Sequence, residues 1–89
     1  MDKICILVGT DTENIVSRTL CYNNIWHAKT IKEFIECIKL AKFELDKNPN
    51  YIFDVIILDK IHYEKTFLKL LMQRHIKNDS FEKAFHFEE

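Results

Sequence analysis

Glycine and proline are nearly absent from this chain, whose 89 residues contain only Gly9 and Pro49. Average proteins contain about 7% glycine and about 5% proline. Phosphate-binding loops need several glycines so that the backbone can approach the ligand closely, and a single glycine excludes such loops. The chain also has no apolar run near the ~20 residues that span a bilayer and no signal-peptide pattern at its start. We therefore expect no membrane association.

A cysteine spacing typical of a disulfide or zinc framework is missing. The chain has an odd number of cysteines, Cys5, Cys21 and Cys37, and no Cys-x-x-Cys pair. Stable disulfides belong to oxidising compartments, whereas isolated thiols are typical of the cytosol. The expected location is the cytoplasm.

An excess of basic charge is missing as well. The chain has 13 basic and 14 acidic residues and a formal net charge of −1. Nucleic-acid binding depends mainly on Lys and Arg side chains that neutralise phosphates. We therefore do not expect nucleic acid to be the partner, although lysines of the second predicted helix leave that alternative open.

The hydrophobic content is sufficient for one small folded domain. It amounts to 47% of residues, with 12% aromatic, unlike the composition of disordered segments. A domain of this length buries a limited fraction of its surface, so self-association or a protein partner is expected. Abundant Ile, Lys, Asn and Phe suggest an AT-rich gene, as is common in phages and other mobile elements; the host cytoplasm would then be the location.

The first part of the chain alternates between strand and helix patterns. Lys3–Val8 is an almost continuous apolar run, typical of a strand that is buried on both faces. Thr10 and Glu13 form a capping-box pattern that predicts a helix after Gly9. Residues 25–28 are a second candidate strand.

The second part repeats this alternation. Thr30 and Glu33 form another capping box, and apolar residues at helical spacing continue to Leu45. The sequence Asn48-Pro49-Asn50 ends that helix, because proline cannot continue it. Residues 51–58 predict a third strand, and residues 64–77 predict a third helix.

Alternating strands and helices predict an α/β fold with right-handed crossovers. The expectation is a three-stranded parallel sheet in the order 2-1-3 with three helices. Residues 1–78 would form a single domain, and residues 79–89 a C-terminal tail that is able to form a short helix.

One family resemblance follows from these elements. The segment Phe53-Asp54-Val55-Ile56-Ile57-Leu58-Asp59 resembles the third strand of response-regulator receiver domains, and Leu68, Leu70 and Leu71 resemble the Leu-x-Leu-Leu of their third helix. The resemblance covers about three quarters of this chain and only the first half of a receiver. It implies a flavodoxin-like half-sheet with Asp59 in the place of the phospho-accepting aspartate.

The chain departs from the receiver pattern where the chemistry occurs. Receivers carry paired acids after the first strand to hold a divalent metal, but here Asp11 is the only acid close to Val8-Gly9-Thr10. Without that metal, the charge of an incoming phosphoryl group would not be neutralised. The resemblance therefore implies a degenerate receiver that does not transfer phosphate.

Two sets of candidate site residues remain. The strand ends would place Thr10, Asp11 and Asp59 together, where open α/β sheets bind ligands; the alternative role of Asp59 is a helix cap or loop acid. The tail residues Phe81, Phe85 and Phe87 either anchor a partner or cover an open face of the sheet.

The four histidines show no metal-ligand spacing, so we expect no metal, no cofactor and no catalytic residue. The leading hypothesis is a small non-catalytic regulator or inhibitor that binds another protein or a second copy of itself through its tail, its third helix or a sheet edge. A degenerate receiver-like ligand-binding module is the main alternative.

Overall fold

A computed structural model describes residues 2–11, 21–59 and 63–88. These residues form a parallel sheet of four strands with three helices, an α/β fold as predicted. The helix predicted after Thr10 lies in residues 12–20, which are outside the described residues. The elements in chain order are β1 (Lys3–Val8), β2 (Asn24–Ala28), α1 (Ile31–Lys47), β3 (Ile52–Ile57), α2 (Lys65–His75), α3 (Asp79–Lys83) and β4 (Phe85–Glu88).

The strand order is β2-β1-β3-β4. The predicted neighbours of β1 are confirmed, because Ile4 pairs with Asn24 on one side and with Phe53 on the other. The prediction of three strands is wrong, since β4 pairs in parallel with β3. Its sequence Phe85-His86-Phe87-Glu88 alternates apolar and polar side chains, which is the pattern of a strand buried on one face. The spacing of Phe81 and Phe85 is helical, and it concealed this alternation.

One face of the sheet carries the main core. Ile4, Ile6 and Val8 of β1 and Phe53, Val55 and Ile57 of β3 share this face and are buried. The crossovers from β2 to β3 and from β3 to β4 run in the same direction across the sheet, so right-handed connections place α1 and α2 on one face. Phe34 and Ile38 of α1 and Leu68 of α2 accordingly pack there. Cys5, Leu7 and Ile56 form a smaller buried cluster on the opposite face.

Local sequence explains where the helices begin and end. The hydroxyl of Thr30 accepts a hydrogen bond from the backbone N–H of Glu33, at 3.2 Å, as the capping box predicts. Asn48 ends α1 in an extended conformation just before Pro49. Asn78 caps α3 by accepting from the backbone N–H of Ser80 at 2.9 Å.

Residues 79–88, assigned from the sequence to a tail, supply α3 and the outer strand β4. The ring of Phe85 stacks on that of Phe53, with 5.1 Å between the ring centroids, and the ring centroids of Phe81 and Phe85 are 4.7 Å apart. The backbone N–H of Phe53 also donates to the carbonyl of Ala84 at 2.9 Å. These contacts join the segment to the same hydrophobic core as β1 and α1.

Truncating Phe85 tests this packing. We expect Phe85→Ala to lower the free energy of unfolding by about 3–5 kcal/mol, because it removes a buried aromatic ring from the core. Phe43→Ala is the matched control: that ring is 56% exposed on α1, and we expect a change within about 0.5 kcal/mol. Urea denaturation followed by circular dichroism measures both. Equal stability of the two variants would contradict the role of Phe85 in the core.

Candidate functional site

The carboxylate of Asp59 lies where β1 and β3 end, beside Thr10 and Asp11. Its Oδ2 accepts from the backbone N–H of Thr10 at 2.6 Å and from the Thr10 hydroxyl at 2.9 Å. Its Oδ1 accepts from the backbone N–H of Asp11 at 3.2 Å. The structure therefore brings together the three residues that the sequence predicted at the strand ends.

Gly9 makes this approach of the backbone to the carboxylate possible. Its backbone φ of 127° is a conformation that residues other than glycine rarely adopt. A Cβ atom at this position would lie 2.9 Å from the Asp59 Oδ2 atom. The Gly9 carbonyl is also 2.7 Å from the His27 Nε2 atom, so both sides of the loop after β1 are held.

The chemistry of this strand-end cluster is that of a loop acid. Each oxygen of Asp59 accepts a hydrogen bond from the loop after β1, and such charge-assisted bonds stabilise the ionised carboxylate. The described residues contain no group of three or more His, Cys, Asp and Glu side chains that could hold a metal ion. The geometry therefore supports a structural role for Asp59, with partial exposure to solvent.

The aromatic residues predicted to anchor a partner differ in accessibility. Phe81 is 3% exposed and Phe85 is 7% exposed. Both cover the open face of the sheet, the second role considered for them, and neither can contact a partner without leaving the core. Phe87 is partly buried, and the Lys69 ammonium lies 5.5 Å from its ring centroid.

Other apolar side chains are exposed instead. Phe67 is 46% exposed and Leu70 is 53% exposed on α2, while Leu40 and Phe43 are similarly exposed on α1. Ile25 of β2 is 45% exposed. The sequence named the third helix as a candidate contact surface, but it did not identify Phe67 and Leu70 as the exposed residues of that helix. Their signal was an excess of apolar residues over what one buried helical stripe requires.

The charged side chains of α2 are all basic. Within Lys65–His75 the ionisable side chains are Lys65, Lys69, Arg74 and His75, with no Asp or Glu. Lys69 and Arg74 are exposed. By contrast, α1 mixes lysines with four acidic residues, as expected for a solvated helix face. The overall balance of the chain had concealed this local excess of positive charge.

A buried carboxylate on the second face of the sheet was not predicted. Asp54 is 7% exposed within β3, and the Tyr22 hydroxyl donates a hydrogen bond to its Oδ2 atom at 2.8 Å. Burial and this hydrogen bond raise the pKa of Tyr22 well above its usual range. Cys5 and His86 are the register neighbours of Asp54. The only sequence signal was an acid inside an otherwise apolar strand.

The cysteine thiols also have different environments. Cys5 and Cys37 are buried, whereas Cys21 is exposed. Burial, together with nearby Glu33 and Glu36, raises the pKa of the Cys37 thiol to about 11. A thiol with this pKa remains protonated near neutral pH and is a poor nucleophile, so Cys37 acts as a small hydrophobic side chain of α1.

Comparison of this chain with known proteins identified no relative. No family model, no curated protein and no solved structure matches this chain. In the part of the chain that the structure describes, none of the helices has the length and apolar character required to span a membrane.

Asp59→Asn tests the strand-end cluster. The amide offers one acceptor oxygen instead of two, so an N–H group of the loop loses its partner, and we expect a loss of about 1–2 kcal/mol in stability. Asp46→Asn removes an exposed charge on α1 and should change stability by less than about 0.5 kcal/mol. Urea denaturation measures both.

The same variants separate a structural acid from a ligand site. We expect Mg²⁺ with beryllofluoride to leave the melting temperature of the wild type unchanged. A rise in melting temperature that Asp59→Asn abolishes would contradict this expectation and favour the receiver-like alternative.

The pair of Tyr22 and Asp54 predicts a stability change in alkali. The folded state holds the Tyr22 proton more tightly than the unfolded chain, whose tyrosine has a pKa of about 10. The protonated Tyr22 hydroxyl therefore contributes to the free energy of unfolding. This contribution is fully present below about pH 10 and is lost as the pH rises further. Tyr22→Phe should therefore flatten the fall in stability above pH 10, and Tyr51→Phe should retain the wild-type slope. Urea denaturation between pH 8 and 11 measures the free energy of unfolding as a function of pH. Equal slopes for Tyr22→Phe and Tyr51→Phe would contradict the role of the Tyr22 hydroxyl.

Proposed function

We propose that this chain is a small non-catalytic protein-binding regulator, and that the exposed side of α2 forms its contact surface. The observation that carries the proposal is the exposure of Phe67 and Leu70, each about half accessible to solvent. The other side of the same helix is buried in the core through Leu68 and Met72. Burying a Leu or Phe side chain completely contributes about 1.5–3 kcal/mol. A partner that covers both residues would gain a substantial part of that free energy.

The position of α2 supports a preformed contact. Leu68 and Met72 of this helix are buried against the sheet, and Ile76 donates to the Met72 carbonyl at the helix end. The opposite side can therefore be covered by a partner without any rearrangement of the core. Contacts offered by a rigid helix lose little conformational entropy on binding.

The charge of α2 indicates the chemistry of the partner. Arg74 is exposed and lies one helical turn beyond Leu70, and the helix has no acid. Electrostatic complementarity favours a partner segment that combines apolar residues with Asp and Glu. Nucleic-acid interfaces are more polar and more strongly basic, whereas this surface centres on Leu70 and Phe67 and belongs to a chain of net charge −1.

A second candidate function uses the strand-end cluster. Thr10, Asp11 and Asp59 lie together at the carboxyl ends of β1 and β3, the usual place for ligands in open α/β sheets. This supports a degenerate receiver-like module that binds a small ligand. The hydrogen bonds that Asp59 already accepts make it the weaker candidate.

A pair of double variants tests the leading proposal. Phe67→Ser with Leu70→Ser removes the apolar contact on α2, and Leu40→Ser with Phe43→Ser makes the matched change on α1. We expect tagged wild-type protein to retain a stoichiometric protein partner from nuclease-treated lysate of the native host. The α2 variant should reduce the recovered partner at least tenfold, and the α1 variant should not. Quantitative mass spectrometry measures both.

Two outcomes would overturn the proposal. Equal recovery with the α2 variant and the wild type would exclude α2 as the contact surface. Material that binds from untreated lysate but is absent after nuclease treatment would identify nucleic acid as the ligand. Circular dichroism of each variant establishes that the fold is unchanged, which is expected because all four side chains are exposed.

A further inference from the structure

The edge of the sheet formed by β2 is open in the described structure. β2 is the outermost strand and pairs with β1 on one side only. An edge strand presents backbone N–H and C=O groups that another strand can pair with. Within the edge strand itself, the features that usually prevent this are charged side chains, proline, a β-bulge or a very short length.

None of these protections is present along β2. Its sequence is Asn24-Ile25-Trp26-His27-Ala28, without Lys, Arg, Asp, Glu or Pro. Its register with β1 advances one residue at a time over all five pairs, so no bulge interrupts it. Ile25 is also 45% exposed. The opposite edge, β4, is shorter and carries Glu88.

The strand is held in a conformation ready for pairing. The Trp26 ring packs on Phe53 at 5.7 Å, and Ala28 is completely buried. The backbone N–H of Gly9 donates to the Ala28 carbonyl at 2.9 Å, which fixes the end of the strand. An incoming strand would therefore meet an ordered edge and would not need to order it.

We propose that β2 pairs antiparallel with β2 of a second copy of this chain, which joins two four-stranded sheets into one continuous sheet. An uncharged strand meets its own copy without the like-charge repulsion that destabilises opposed side chains. Antiparallel pairing about a two-fold axis uses the same patch on both copies, as in most protein dimers. With the axis at Trp26, Ile25 lies opposite the partner's His27.

The helix layer adds area to this contact. Since α1 packs against β2 and paired strands lie about 4.8 Å apart, the two α1 helices lie on either side of the dimer axis. A stable interface buries about 1,200–2,000 Å² in total, which a ladder of five residues alone does not provide. The contact uses no residue of α2, so it is independent of the proposed partner surface.

Sedimentation equilibrium with a reductant, which prevents disulfides through the exposed Cys21, tests the proposal on the full chain. We expect a dimer of the 10.7 kDa protomer for the wild type. Ile25→Lys places a charge on the edge at an exposed position and should weaken dimerisation at least tenfold. Leu70→Lys places the same charge on α2, at a similarly exposed position, and should leave the dimer intact.

Hydrogen exchange locates the contact. Amide exchange in β2 should slow as the protein concentration rises through the dimerisation range, while exchange in β4 stays constant. A wild type that remains monomeric at millimolar concentration would overturn the proposal. So would a dimer that Ile25→Lys leaves unchanged, or one whose protected amides lie in β4 or α2. A monomer would not affect the proposed α2 surface, because partner recovery measures that surface separately.

Discussion

The pairing of β1 between β2 and β3 is the constraint on which the rest of the structure depends. β1 is bonded on both sides, and its side chains are buried on both faces of the sheet. A strand in this position has no polar face, which is why its sequence is an almost continuous apolar run. The two strands beside it then determine where α1 and α2 can pack, because right-handed crossovers leave one face for both.

The same pairing brings the chemistry-bearing loops together. β1 and β3 are parallel and adjacent, so the loops that follow them meet at one end of the sheet. Asp59 then reaches the backbone of Thr10, and Gly9 supplies the conformation that lets it do so. The receiver resemblance predicted Asp59 in the place of a phospho-acceptor, whereas in the structure its carboxylate accepts hydrogen bonds from the neighbouring loop. The resemblance itself stays a hypothesis, and the geometry favours a structural use of the same position.

The sequence predicted those parts of the fold in which local pattern and tertiary environment agree. β1, α1 and β3 have long apolar patterns and clear ends, and the predicted strand ends already placed Thr10, Asp11 and Asp59 together. β4 was missed because four residues contain too little periodicity to outweigh the helical spacing of Phe81 and Phe85. The exposed pair on α2 and the buried Asp54 were missed because burial depends on which face a neighbouring element covers, and one sequence does not contain that information.

The central position of β1 also has a kinetic consequence. Ile4 pairs with Asn24 and with Phe53, so both neighbours of the first strand are encoded after it, and the second one much later. Contacts between distant residues form slowly because a long loop must close first. While a ribosome synthesises the chain, the apolar segment Lys3–Val8 therefore stays without its second neighbour until β3 has emerged. During that interval the nascent chain exposes an aggregation-prone strand, and a chaperone that shields it would increase the yield of folded protein.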